Sequence, residues 1–145
     1  MNLAIDIGNT RTKVAVYENN IISSIEIFEH TELQKKISFL INNSESKPNI
    51  ILSTVKNIKE EDVIWLSENS NFIQITPNTS LPFQNKYSTP HTLGIDRVVL
   101  ASGAVLKYPK SNRLVIDAGT CITYDFITKE NDYLGGAISP GFKLK

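Results

Sequence analysis

MNLAIDIGNTRTKVAVY, residues 1–17, decides how the rest of the chain is read. An apolar run, Leu3-Ala4-Ile5, leads into Asp6 and then a Gly8-Asn9-Thr10 turn; a second alternating run, Val14 to Tyr17, leaves it. That is the pattern of two antiparallel strands joined by a tight turn. The first strand delivers a carboxylate to the turn. Gly8 has no Cβ, so backbone N–H groups there can approach an anion. Thr10 and Lys13 add a hydroxyl and a cation beside it. A carboxylate facing phosphates repels them, so the arrangement asks for a divalent cation between, and Mg²⁺ suits oxygen donors. The stretch reads as a phosphate-and-Mg²⁺ loop on a β-hairpin. It lacks the GxxxxGK[ST] spacing of a Walker A loop. An ordinary hairpin turn with a polar tip uses the same residue types.

The stretch then recurs. Leu114-Val-Ile-Asp117-Ala-Gly119-Thr120 lines up with Leu3-Ala-Ile-Asp6-Ile-Gly8-Asn9, and Asp6 and Asp117 stand 111 residues apart. One DxG turn is weak; two, each ending an apolar strand and each followed by a strand pattern, are stronger. The repeat predicts two related half-domains facing each other across a cleft, residues 1–111 and 112–145, each supplying a phosphate-side loop.

Bulk properties narrow the function classes. The 145-residue chain is 41% hydrophobic, enough for a packed core, and its formal charge is zero. Zero net charge argues against general affinity for nucleic acid or an anionic membrane. A single cysteine, Cys121, cannot form an intrachain disulfide, which fits a reducing cytosol. Inside a strand pattern and with no histidine nearby in sequence, Cys121 is expected to be a small buried filler. No stretch approaches the roughly 20 apolar residues of a membrane helix. The N-terminus lacks the basic and cleavage regions of a signal peptide. The expectation is a soluble cytoplasmic protein.

Between the repeats, Ile21 to Phe28 alternates like a third strand, so the chain opens as a β-meander. Thr31 is a plausible N-cap for a helix over 32–41, and 42–48 (NNSESKP) is a loop. Residues 49–55 (NIILSTV) read as a parallel strand buried on both faces, with Ser53 and Thr54 at its end directed at the cleft. A helix over 59–69 turns Val63, Trp65 and Leu66 inward, and a short strand follows at 72–76. A meander followed by β-α alternation predicts a mixed sheet with helices on its faces, the ribonuclease-H-like pattern of actin-like ATPases and sugar kinases.

Residues 76–92, with three prolines, read as a long functional loop. A helix follows, with Gly94, Asp96 and Arg97 at its start and small residues on one face. A helix N-terminus favours anions; Asp96 there also suits the helix dipole, and Arg97 a surface pair. After the repeated hairpin, residues 113–126, a third strand breaks into a glycine-proline turn at Pro140-Gly141. The twin glycines Gly135-Gly136 allow close approach of backbone or ligand. His30 and His91 lack metal-ligand spacing, and His91 is expected as a solvated loop histidine.

Taken together, Asp6-Ile7-Gly8-Asn9-Thr10 with Lys13, Tyr87 with Thr92-Leu93-Gly94-Ile95-Asp96-Arg97, Asp117-Ala-Gly119-Thr120, and Gly135-Gly136-Ala-Ile138-Ser-Pro140-Gly141 resemble the type III pantothenate kinases of the actin-like superfamily. The resemblance covers essentially the whole chain. It implies transfer of the ATP γ-phosphoryl group to the primary hydroxyl of pantothenate, opening coenzyme A synthesis. It implies that Asp6, Ile7, Gly8, Asn9, Thr10, Arg11, Thr12 and Lys13 hold the ATP phosphates, with Asp6 on the Mg²⁺ side, and that Thr120 contacts ATP. By the same resemblance Tyr87, Gly94, Ile95, Asp96 and Arg97 contact pantothenate, Asp96 is the base, Asp117 holds K⁺ or NH₄⁺, and the enzyme is a homodimer. Phosphoryl transfer rests mostly on positioning and charge neutralisation, which these residue types supply.

Family members are longer, so the second repeat reads as incomplete and the chain as a truncated form. The expectation is a weak or inactive kinase whose uncovered sheet face exposes apolar surface that association shields. Two alternatives remain. One is the same fold with another small acceptor, such as a sugar or acetate. The other is a nucleotide-binding or regulatory module without kinase activity; no basic helix favours direct DNA binding.

Overall fold

A computed structural model describes residues 1–44 and 46–141. Glu45, in the expected 42–48 loop, and the His91 side chain lie outside the described residues. The chain divides into two compact units, Met1–Thr76 and Pro77–Lys145.

The first unit runs β1 (Asn2–Ile7), β2 (Thr12–Glu18), β3 (Ile21–Phe28), a 3₁₀ turn (His30–Glu32), α1 (Leu33–Asn42), β4 (Asn49–Thr54), α2 (Glu60–Asn69) and β5 (Asn71–Gln74). The sheet order is β3-β2-β1-β4-β5. β1, β2 and β3 pair antiparallel, whereas β4 is parallel to β1 and β5 to β4. This is the expected mixed sheet, a meander extended by β-α alternation.

Its core follows from strand period and helix spacing. Leu3, Ile5, Ile7, Val14, Val16, Ile50 and Leu52 form one buried cluster with Leu33 and Ile37 of α1 and Leu66 of α2. The opposite face is ordered in rows across the strands, because paired residues share a face. One row is Ile25, Ala15, Ala4, Ile51 and Ile73. Ile25, Ile51 and Ile73 are exposed. Along β4, Ile50 and Leu52 are buried whereas Asn49 and Ile51 on the opposite face are exposed, so the apolar run is not buried on both faces throughout; on that opposite face Ser53, at the strand end, is buried. A second row is an asparagine ladder in which Asn49 Nδ2 donates to Asn2 Oδ1 (2.8 Å) and Asn71 Nδ2 to Asn49 Oδ1 (3.0 Å). The third row, at the other strand ends, holds Ile27, Lys13, Asp6 and Ser53.

The cap of the first helical segment is displaced. Glu29, not Thr31, precedes the turn, and its backbone N–H donates to the Glu32 carboxylate at 3.4 Å. A reciprocal carboxylate box wins over a lone hydroxyl.

The second unit runs β6 (Gln84–Asn85), a 3₁₀ turn (Pro90–Thr92), α3 (Ile95–Lys107), β7 (Arg113–Ala118), β8 (Cys121–Ile127) and β9 (Asp132–Pro140), with sheet order β6-β9-β8-β7. Val98, Ala101 and Val105 of α3 are buried with Phe83, Leu93, Ile127 and Tyr133. That shared core puts α3 with the second sheet, so the units divide at residue 76 rather than after residue 111. The long loop also holds more order than its composition suggests: β6 pairs parallel with β9 through only two residues, Gln84 and Asn85. On the face away from α3, Leu114, Ile116 and Phe126 are exposed.

Both twin glycines of β9 are used by the fold. A Cβ on Gly136 would collide with the Tyr124 carbonyl of β8, and Gly135, at φ +94°, would bring one within 2.5 Å of the Tyr87 ring. Cys121, expected as a buried filler, is exposed, because the strand starts with it beside the turn and beyond the packed core.

Candidate active site

In the first unit, the hairpin turn is built by the pairing that precedes it. Ile7 pairs with Thr12, and Gly8 N–H donates to the Arg11 carbonyl at 3.1 Å. Asp6 is half-buried on the face opposite α1 and α2, with Lys13 across from it on β2 and Ser53 across from it on β4. Asn9, Thr10, Arg11 and Lys13 are exposed; Arg11 pairs with Glu29 at 3.1 Å. Ile7 and Thr12 face the helices instead. Thr12 is fully buried and its hydroxyl meets His30 Nδ1 at 2.8 Å, while Lys56 Nζ lies 3.5 Å from His30 Nε2. An ammonium has only donors, so Nε2 accepts, Nδ1 carries the proton, and His30 donates to Thr12. His30 and Lys56 thus brace the loop from behind, a role that no local spacing announced.

Glycine at position 8 is not required by the fold. A Cβ there would meet only the Arg11 carbonyl, at 3.5 Å, an ordinary contact. Its backbone is likewise outside the positive-φ region. What it leaves open is approach to the turn from outside.

The second unit repeats the corner with one difference. Ala118 pairs with Ile122, enclosing three residues, where Ile7 and Thr12 enclose four. Asp117 therefore stands across from Thr123, not from a lysine. Asp117, Gly119 and Thr120 are exposed. The turn is tied down by Gly119 N–H to the Cys121 carbonyl (2.9 Å) and Gly141 N–H to the Thr120 carbonyl (3.0 Å).

Tyr87, Gly94, Asp96 and Arg97 gather in this unit around the start of α3. Gly94 is the N-cap and Asp96 lies in the first turn, where Asp96 Oδ1 accepts the Arg97 backbone N–H at 2.9 Å. Arg97 turns inward. Its Nε donates to Asp125 at 2.9 and 3.2 Å and its Nη2 at 2.5 Å, with the two side chains 7% and 1% exposed. Arg97, which suited a surface pair, is thus paired in the interior with a carboxylate of β8. Tyr133 Oη donates to the same Asp125 oxygen at 2.5 Å. The Arg97 guanidinium lies 5.8 Å from the centre of the Tyr87 ring, and Tyr87 meets Tyr133 edge-on at 6.3 Å. Burial is the largest single influence and opposes the Arg97 charge, but the Asp125 hydrogen bond, the charge interactions with Tyr133 and Asp125 and the Tyr87 hydrogen bond together outweigh it, and the pKa is raised. Burial, then the bond to Asp125, raises Tyr133 above its ordinary 10.0.

A raised folded-state tyrosine pKa stabilises fully below the unfolded value and is lost as pH climbs through the folded one. The unfolded chain releases this proton from about pH 10, so stability falls from there upward. Tyr133→Phe is expected to cost about 1.5–3 kcal/mol at neutral pH and to flatten the decline above pH 10, checked by urea titrations across pH.

Among the described residues, no group of three or more His, Cys, Asp or Glu could hold a metal ion. An open depression of about 460 Å³ lies along the asparagine ladder, at the far strand ends from Asp6. No helix among the described residues is long and apolar enough to cross a membrane.

Comparison with known proteins follows the same lines. The family model for type III pantothenate kinase matches residues 2–145. A type III pantothenate kinase of Flavobacterium johnsoniae is 46% identical over the whole chain, which spans 59% of that relative. One of Flavobacterium psychrophilum is 43% identical, again over the whole chain, spanning 60% of it. The chain thus spans about three-fifths of the length of these curated relatives. A solved structure from Campylobacter jejuni, described as a conserved Baf family transcriptional activator, superposes with TM-score 0.54 at 26% identity, covering 97% of this chain and 55% of that one. A Sinorhizobium meliloti structure assigned as a 2-dehydro-3-deoxygalactonokinase shares the fold at TM-score 0.54 and 9% identity, covering 95% and 53%. With the family model running from the first strand through both acidic corners to the last residue, the chain belongs to the type III pantothenate kinase family.

Proposed function

We propose that this protein phosphorylates pantothenate with ATP. The observation that carries the reading is the Asp6 corner: a half-buried carboxylate in register with Lys13, beside a Gly8 turn whose glycine the fold does not need. The residues from Asp6 to Lys13 hold the phosphates through the exposed turn residues Asn9, Thr10 and Arg11 and the Lys13 ammonium, with Ile7, Gly8 and Thr12 shaping that turn through their main chain. Asp6 holds Mg²⁺ on the phosphate side. Bound Mg²⁺ neutralises charge on the transferring group. Thr120 contacts ATP and Asp117 takes K⁺ or NH₄⁺, both at the second corner. Tyr87, Gly94, Ile95 and Arg97 receive pantothenate. Its hydroxyl oxygen bonds to the γ-phosphorus, the bond to the β–γ bridging oxygen breaks, ADP leaves, and Asp96 takes the proton. Action as a homodimer in the cytoplasm belongs to the same reading.

The test is transfer of label from γ-labelled ATP to pantothenate, with a sugar and acetate as competing acceptors. Gly8→Ala is expected to leave stability within about 1 kcal/mol and to weaken nucleotide binding about tenfold or more. Gly136→Ala, which strikes backbone, is expected to destabilise by at least about 1–3 kcal/mol. Equal nucleotide affinity in Gly8→Ala and the parent would remove the phosphate loop. A second reading, nucleotide binding without transfer, draws on the Campylobacter jejuni neighbour described as a transcriptional activator. Binding of ATP with no label on any acceptor favours it.

A further inference from the structure

Ser53 sits at the end of β4, is 7% exposed, and its Oγ is a buried side-chain polar atom without a hydrogen-bond partner among the described residues. A hydroxyl in that condition costs stability, because it has given up water and received nothing. Its neighbours indicate what it serves. Ser53 is in register with Asp6, which is in register with Lys13, so hydroxyl, carboxylate and ammonium form one row on the face opposite α1 and α2. That row lies at the carboxyl ends of the parallel strands β1 and β4, the usual side for ligands in α/β sheets. The adjacent Thr54 differs: its hydroxyl donates to the Lys56 carbonyl at 2.8 Å and accepts the Lys56 N–H at 3.1 Å, closing the turn. Thr54 serves the fold, and Ser53 does not.

We infer that Ser53 is a binding residue for the hydrated divalent cation and phosphate at Asp6, its Oγ hydrogen-bonding to that ligand's oxygens. The inference rests on the kinase reading. It makes a prediction opposite in sign for the empty and the loaded protein. Losing the hydroxyl relieves an unmet polar group when no ligand is bound and removes a partner when one is.

The experiment uses the full chain with Mn²⁺ and ADP as the probe, read by electron paramagnetic resonance, and thermal melting without ligand. Ser53→Ala is expected to melt at or above the parent temperature and to bind Mn²⁺–ADP about tenfold more weakly. Ser53→Cys, close in size and a poor hydrogen-bonding group, is expected to weaken binding in the same way. A Ser53→Ala melting point several degrees below the parent shows that the hydroxyl serves the fold, and overturns the inference. Unchanged Mn²⁺–ADP affinity in both variants also overturns it while leaving the kinase reading standing. A parent chain that takes up no Mn²⁺–ADP overturns both.

Discussion

Asp96→Asn is expected to reduce phosphoryl transfer to pantothenate by about 10²–10⁴-fold, the range for loss of a general base. The replacement keeps the shape of the side chain and an oxygen able to accept the Arg97 N–H, so the start of α3 is preserved. What it loses is a proton acceptor and a negative charge in the first helical turn. The charge is worth at most about 1 kcal/mol of stability, so the variant should melt no more than about 4–8 °C below the parent. ADP release with and without pantothenate, followed in any preparation that turns over, makes the measurement. ATP affinity should hold. Near-normal turnover in a folded Asp96→Asn protein would leave Asp96 with its dipole role alone.

The largest effect on stability is expected at Asp125. Asp125→Ala leaves the Arg97 guanidinium buried and uncompensated, which costs about 3–5 kcal/mol. In a unit of this size each kcal/mol shifts melting by about 4–8 °C, so the second unit should lose its fold at ordinary temperatures. Two reporters separate the units: the single tryptophan, Trp65, lies in the first, while Tyr87, Tyr108, Tyr124 and Tyr133 lie in the second. Tyrosine near-ultraviolet dichroism is therefore expected to fall to the share of Tyr17, the one tyrosine of the first unit, with Trp65 fluorescence retained. Replacing both partners by apolar residues, Arg97→Met with Asp125→Leu, should restore much of the stability, since an apolar pair avoids the desolvation of two charges. It should not restore pantothenate binding. A destabilisation below about 1 kcal/mol in Asp125→Ala would mean that the pair is solvated.

The parts of this fold that sequence revealed are those in which local spacing and burial coincide. Val14 and Val16 alternate with Lys13 and Ala15, and the hairpin follows; Val98, Ala101 and Val105 fall on one side of a helix, and α3 follows. Asp125 and Arg97 are 28 residues apart and meet only through tertiary packing. The one local hint was an aspartate at an inward position between Thr123 and Ile127, in a strand where aspartate is disfavoured. Ser53 was marked as a strand-end residue, but its missing partner is a three-dimensional fact. The contact between His30 and Thr12 likewise joins residues whose sequence environments are silent about each other. At Cys121, residue type suggested the interior, and the position of the turn overruled it.

The four residues enclosed between Ile7 and Thr12 act as a spacer that sets which side of the sheet each later residue occupies. Adding or deleting one residue there would slide β2 by a single step, and in a strand a single step exchanges the two faces. Lys13 would be driven under the helices and Val14 out into water, so an error confined to an exposed turn would cost both the interior and the chemistry. Tolerance to length change, ordinarily greatest at exposed loop tips, should here be least at this one.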